Sequence, residues 1–178
     1  MKTEILANVK NGKTFSIAGV EFIKFSDKNG ITTAGAKESV GEYQFGDGNN
    51  FAKSKIKKIL EEKFLPKLEK EIGAENIVEH VVDLTSLDGL KDYGKIKCRI
   101  SLPTFDFYRK NVKIFDKHKL DDWWWLATPD STSDHRNDWW VVCVSPSGSF
   151  SNYGYGDDTN GVRPFLTFVS SISISCKE

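Results

Sequence analysis

The sequence has few cysteines, and their pattern excludes several kinds of site. Cys98, Cys143 and Cys176 are odd in number and far apart. This argues against a disulfide scaffold and suits a reduced cytosolic protein. The cysteines and histidines show neither CxxC nor HxxxH spacing, so a zinc site is not expected. We therefore predict a fold that needs no metal and no other cofactor.

The sequence also lacks a charge excess and a long apolar run. Lysine plus arginine and aspartate plus glutamate each number 25, for a net charge of zero, which gives no general attraction to nucleic acid or to an anionic membrane. No apolar run has the length of a membrane span. The opening MKTEILANVKNGKTF lacks the apolar core of a signal peptide. We expect a protein that is cytoplasmic as synthesised, with no nucleic-acid or membrane partner.

Alternating apolar residues predict strands at both ends of the chain. "TFSIAGVEFIKFSDKNGITTAG" alternates around a turn at Asn29-Gly30, the usual signal of a two-residue hairpin. "DWWVVCVSPSGSFSNYGYG" predicts two strands joined by a turn at Ser145–Gly148. Over residues 138–168 we expect antiparallel strands, closed by "GVRPFLTFV". The final "SSISISCKE" alternates like an edge strand, or else it frays.

Residues 50–72 carry a helical pattern. Apolar residues such as Ile56, Leu60 and Leu68 recur at three- and four-residue steps, with charged residues between them. Pro66 predicts a fresh first turn near Leu65, and Gly73 ends the segment. The length of 178 residues fits one domain, residues 1–178, built from strands and one or two amphipathic helices.

All five tryptophans lie in one stretch, "DDWWWLATPDSTSDHRNDWW". Trp123, Trp124 and Trp125 precede a polar segment, and Trp139 and Trp140 follow it. Tryptophans at both ends would anchor this loop to the core while its tip stays in water, as in proteins that present binding surfaces. The alternative is that the triplet is made of core and rim aromatics only.

Two polar segments, Asp130 to Asp138 and Ser147 to Asn160, are the candidate binding loops. They contain mainly Ser, Asn, Asp, Tyr, Gly, His and Arg, a composition typical of adaptable binding loops and also of ordinary surface loops. The aromatic residues favour the binding interpretation. The predicted site comprises the anchors Trp140, Tyr153 and Tyr155 and the polar contacts His135, Arg136, Asn137, Asn152, Asp157 and Asp158.

The alternation of side chains along a strand predicts which of Trp139 and Trp140 is the more exposed. Trp139 would share its strand face with Val141 and Cys143. Trp140 is therefore predicted to be the more exposed of the two.

The remaining polar residues fit no known motif. The loop aspartates match no calcium-binding spacing, and nothing orients His135 for acid–base chemistry. Cys143 lies in an apolar strand and is interpreted as a packing residue. Arg163 is expected to form a structural ion pair, with a loop aspartate as its partner. We predict no catalytic residue.

The tryptophan block also resembles a known family. "DDWWWLATP", followed about forty residues later by "GVRPF", is similar to the "WWLRSP"-like and "GVRPAL"-like blocks of bacterial and phage DUF6273 domains. That family resembles the C-type-lectin-like fold of formylglycine-generating enzymes and of the variable proteins of diversity-generating retroelements. The resemblance implies a single α+β domain with twisted antiparallel strands and no catalysis.

The chain departs from these relatives at their functional motifs. Ala127 and Thr128 stand where the family block has arginine and serine. The order of Thr128-Pro129-Asp130 and Asn137-Asp138-Trp139 does not match calcium-dependent lectins. Formylglycine-generating enzymes need a reactive cysteine pair, whereas Cys143 stands alone. Neither calcium-mediated sugar binding nor thiol catalysis is expected.

Together these observations predict a non-enzymatic ligand-binding or display protein of bacterial or phage origin. Its expected partner is a protein or a carbohydrate, bound through variable surface loops. Two alternatives stay open: a relative of the formylglycine-generating enzymes, and a structural subunit of a phage tail, which would be virion-associated. A reverse transcriptase gene with a template repeat nearby would favour diversified binding, and tail genes would favour the particle.

Overall fold

The chain forms fifteen strands, four of them only two residues long, over residues 2–133 and 138–176, the part that the computed structural model describes. In chain order the strands are β1 (Lys2–Ile5), β2 (Thr14–Ile17), β3 (Val20–Lys28), β4 (Ile31–Ala36), β5 (Glu42–Tyr43), β6 (Ile77–Val78), β7 (His80–Asp83), β8 (Lys95–Cys98), β9 (Ile100–Ser101), β10 (Trp124–Pro129), β11 (Trp140–Val144), β12 (Phe150–Gly154), β13 (Asn160–Gly161), β14 (Phe165–Val169) and β15 (Ser173–Cys176).

The strands form three sheets. Sheet A has the order β1-β15-β2-β3-β4-β14-β6, with β9 also paired to β14, and all its pairings are antiparallel. Sheet B has the order β12-β11-β10-β13-β5, and β7 pairs with β8 as a separate ribbon. The predicted α+β class is confirmed. The strands are mostly antiparallel, one sheet is curled into a half-barrel, and the helices are few.

The predicted helical segment and the predicted hairpin are confirmed. Helix α1 (Lys55–Ile59) leads through a π-helical turn (Leu60–Phe64) into α2 (Leu65–Ile72), which ends at Gly73 with a positive φ of 86°. The Asn29-Gly30 turn joins β3 to β4 with φ angles of 52° and 75°, because both positions of this turn type require positive φ. Two further helices are α3 (Phe105–Lys110), capped by the side chain of Thr104, and α4 (Val112–Phe115).

Apolar side chains pack on both faces of sheet B. The main cluster includes Trp125 and Cys143, while a second cluster on the other face includes Trp124 and Val142 together with residues of α3 and α4. Successive residues of β10 and β11 enter opposite clusters, as the two-residue period of a strand requires. These two strands are therefore buried on both sides.

Two details of strand placement differ from the sequence prediction. The C-terminal strand β15 is not an edge strand, because it lies between β1 and β2 and pairs with both. Within sheet B the pairing of β10 with β13 is parallel, through the single pair Trp124 and Gly161. No helix among the described residues is long and apolar enough to cross a membrane.

Candidate functional site

The tryptophan triplet belongs to sheet B and its edges. Trp124 and Trp125 are buried on opposite faces of β10, and Trp123 is half-buried, with its ring centre 4.9 Å from that of Tyr153. The indole Nε1 of Trp125 donates to the backbone oxygen of Tyr43 at 2.8 Å. Two members of the triplet are thus core aromatics, as the alternative interpretation proposed, and they fix the strand from which the polar segment leaves.

Arg163 lies inside the second cluster and forms no close salt bridge with a carboxylate of the described residues. Its Nε donates to the backbone oxygen of Ala36 at 2.9 Å, and its guanidinium carbon lies 4.8 Å from the ring centre of Trp124 and 5.3 Å from that of Phe115. Burial lowers the pKa of Arg163 to about 10, which leaves it charged at neutral pH. The predicted ion pair with a loop aspartate is wrong. The guanidinium instead packs against the faces of two aromatic rings, which stabilise its charge by cation–π interaction.

A buried asparagine holds both ends of the polar segment that connects β10 to β11. The Nδ2 of Asn49 donates to the backbone oxygens of Ser131 at 2.9 Å and Trp140 at 3.2 Å. Its Oδ1 accepts from the hydroxyl of Tyr93 at 2.7 Å, and that hydroxyl in turn accepts from the backbone N–H of Ser133. With Asn49 only 1% exposed, these bonds are shielded from water and are correspondingly strong.

An open cleft of about 330 Å³ lies beside this segment. The residues that line it are mostly of polar type: Asp47, Gly48, Asn49, Asn50, Lys53, Tyr93, Ser133 and Asp138. Such a cleft offers hydrogen-bond donors and acceptors, charges of both signs and one aromatic ring. These groups suit a polar ligand.

The exposure of the two later tryptophans is the reverse of the prediction. Trp139 is 37% exposed and Trp140 is half-buried. The reason is that Trp139 precedes β11 and lies in a turn, so strand alternation does not apply to it. Moreover, Val141 and Val142 are both fully buried, which means that neither face of β11 is a solvent face. Trp139 packs on Tyr155 with ring centres 4.7 Å apart.

The segment Ser147 to Asn160 is not one loop, because β12 occupies its middle. Strand pairing places Asn152 and Tyr153 on opposite faces of sheet B. Asn152 is exposed and donates to Oδ1 of Asp130 at 3.1 Å, whereas Tyr153 packs on Trp123. The serine, asparagine and tyrosine content that suggested a binding loop here is also compatible with the strand that was predicted to follow the turn at Ser145–Gly148.

The predicted residues are therefore only partly brought together. Trp140 begins β11, and Tyr155 follows the end of the neighbouring strand β12. The backbone N–H of Tyr155 donates to the backbone oxygen of Trp139. Asp157 is exposed and Asp158 is half-buried in the connection from β12 to β13. His135, Arg136 and Asn137 lie outside the described residues.

Cys98, Cys143 and His80 have the properties of packed groups. Burial raises the pKa of Cys143 to about 12 and that of Cys98 to about 11, opposite to the direction that makes a reactive thiolate. Burial lowers the pKa of His80 to about 4, and its Nε2 lies 2.8 Å from Oγ of Ser101. Within the described ranges no three His, Cys, Asp or Glu side chains form a metal-binding group.

Sequence reasoning missed Asn49 and Tyr93, which organise the base of the polar segment. Both come from stretches that read as ordinary polar loops, "QFGDGNN" and "LKDYG". The bonds of Asn49 to Ser131 and Trp140 span 82 and 91 residues. No local sequence pattern predicts a contact between residues so far apart in the chain.

Comparison with known proteins identifies a family. The chain matches no curated protein and no solved structure. Residues 31–170, most of the chain, match the family described as "Domain of unknown function (DUF6273)". This range contains β4 to β14 and every residue of the predicted site. The protein therefore belongs to the DUF6273 family.

Proposed function

We propose that this domain is a non-enzymatic ligand-binding or display protein, whose ligand contacts the segment between β10 and β11 and the cleft beside it. The observation that carries the proposal is the pair of hydrogen bonds that the side chain of Asn49 donates to the backbone oxygens of Ser131 and Trp140. One buried amide fixes both stems of a polar segment, so the two stems form a rigid base for ligand contacts. Rigid presentation lowers the entropy lost on binding.

The chemistry around the cleft supports a protein or a carbohydrate as the ligand. Tyr93, Asn50 and Lys53 supply a ring, an amide and a positive charge, and Asp138 supplies a negative charge. The aromatic pair Trp139 and Tyr155 lies at the ends of β11 and β12. Rigid aromatic side chains with short polar neighbours are the usual composition of adaptable binding surfaces.

We further propose that the fold is C-type-lectin-like and that the family serves phages or their bacterial hosts through variable loops. Support comes from the mixed α+β architecture with a curled sheet and from the serine, asparagine and tyrosine content of segments 130–138 and 147–160. The domain would be cytoplasmic as synthesised. A virion-associated tail subunit is the alternative role.

An enzyme of the formylglycine-generating type is a weaker proposal. That chemistry needs an accessible thiolate. Cys143 is fully buried and its pKa is raised to about 12, so this thiol is poorly suited to the reaction.

The test is a screen of the labelled domain on glycan and protein arrays, followed by variants measured against the hit. Asp138→Ala, Tyr155→Ala and Arg136→Ala probe the proposed surface, with Arg136 covering the part outside the described residues. We expect at least one of them to weaken binding about tenfold or more, as truncation of an interface anchor does. Lys63→Ala, at an exposed helical position, is the matched control. Binding that survives all three changes but is lost in the control would refute the site.

A further inference from the structure

Strand β12 forms an open edge of sheet B. It pairs with β11 through five consecutive residue pairs, from Trp140 with Gly154 to Val144 with Phe150. Its outer side makes no backbone hydrogen bond to another segment within the described ranges. Such a row of unpaired N–H and C=O groups is a template for a further strand.

The usual protections of an edge strand are missing from β12. No residue from 141 to 156 is Asp, Glu, Lys, Arg or His, in a chain whose charged residues make up 28%. The pairing with β11 has no register shift, so no bulge twists the edge away. Proteins normally protect edges with charges, prolines or bulges. This edge therefore favours pairing.

Exposed aromatic side chains lie near both ends of β12: Phe150 begins the strand, and Trp139, from the turn before β11, lies over its last residue. Phe150 is 52% exposed and Trp139 is 37% exposed, and they are the two exposed large aromatic residues of the described chain. Phe150 and Gly154 share one face of β12 by alternation. The indole of Trp139 covers Gly154, since a Cβ there would lie 2.5 Å from Trp139 Nε1.

We propose that β12 pairs antiparallel with β12 of a second copy, about a two-fold axis at Asn152. This register sets Phe150 of each copy opposite Gly154 of the other, and so against the Trp139 that covers it. The contact is self-complementary, as a two-fold interface requires. Because the strand is uncharged, two copies approach without like-charge repulsion along it. The inference does not rest on the proposed ligand-binding function, although both use the surface of Trp139.

Analytical ultracentrifugation over a concentration series tests the interface. We expect the wild type to show a reversible monomer–dimer equilibrium. Phe150→Asp should raise the dissociation constant about tenfold or more, because it removes both aromatic contacts and adds two charges. Val81→Asp, at a 58% exposed position on β7, should leave the equilibrium unchanged. Circular dichroism checks that both variants fold.

A disulfide trap tests the register itself. In the proposed pairing the two Asn152 Cα atoms lie about 4.5–5.5 Å apart, a separation that a disulfide spans. Asn152→Cys, made in a Cys176→Ser background, should give a covalent dimer under mild oxidation, whereas Thr159→Cys at an exposed position should not. A wild type that stays monomeric at every concentration, a dimer that Phe150→Asp does not weaken, or no trapping at 152 would each overturn the proposal.

Discussion

The guanidinium of Arg163 lies 4.8 Å above the ring of Trp124, inside an apolar cluster and 98% buried. Arg163 stands in "GVRP" and Trp124 in "DDWWW", the two blocks that carry the family resemblance. The same side chain bonds the backbone oxygen of Ala36 in β4. One residue thus ties sheet B to sheet A.

Arg163→Lys should destabilise the domain by about 2–3 kcal/mol. A lysine keeps the charge but has no plane to stack between two rings, and it loses the Nε bond to Ala36. Its ammonium is also more strongly hydrated, so burying it costs more. Urea unfolding measures the change. Arg109→Lys is the control, because Arg109 stacks 5.9 Å from Phe105 in an exposed position and should change stability by less than about 0.5 kcal/mol. Equal effects at the two sites would contradict the role of burial.

The sequence predicts the local part of this fold well. The helical stripe of residues 50–72 and the Asn29-Gly30 turn depend on near neighbours, and both are confirmed. The choice between Trp139 and Trp140 was wrong because both faces of β11 are buried, and alternation then carries no information. Arg163 was misassigned because Phe115 and Trp124 meet it only through the tertiary fold. Contacts of that kind leave no periodic signal.

The stability of the domain should fall with pH below about 6.5 because of His80. Burial lowers the pKa of His80 from 6.5 to about 4, so between these values the unfolded state binds a proton that the folded state does not. The stabilisation from neutral His80 is therefore complete above pH 6.5 and is lost as pH falls toward 4, by up to about 3 kcal/mol.

Unfolding free energies from pH 7 to pH 4 measure this effect. In His80→Gln the amide can still bond Oγ of Ser101 but does not titrate, so we expect a shallower pH profile than that of the wild type. Parallel profiles for the two proteins would show that His80 is not kept neutral by burial.

Cys143 and Cys98 should resist alkylation in the folded protein. Burial raises both pKa values, to about 12 and about 11, so their thiolate fraction at pH 8 is lower than that of an exposed cysteine by roughly a hundredfold or more. Iodoacetamide labelling followed by peptide mass spectrometry should show Cys176, which is half-buried, reacting first. All three should react in urea. Fast labelling of folded Cys143 would instead favour the thiol-dependent enzyme.

The clamp at Asn49 gives the most direct test of how the candidate site is held. Asn49→Asp keeps the size of the side chain and an acceptor for the hydroxyl of Tyr93. It also replaces the amide donor with a carboxylate oxygen that faces the backbone oxygens of Ser131 and Trp140. We expect a loss of about 3 kcal/mol or more, since two buried acceptors are left unpaired beside a buried charge.

Hydrogen exchange distinguishes a local effect of this change from a general one. In Asn49→Asp the amides at the two stems of the β10–β11 segment should exchange faster than those of β3 and β4, which the clamp does not touch. Asn50→Ala is the matched control for stability, because the side chain of Asn50 caps a short helical turn by accepting from the N–H of Ala52 and does not hold the stems. Its loss should cost about 1 kcal/mol and leave the stems protected. If Asn49→Asp leaves exchange at the stems unchanged, the rigid base beneath the proposed binding surface does not depend on Asn49.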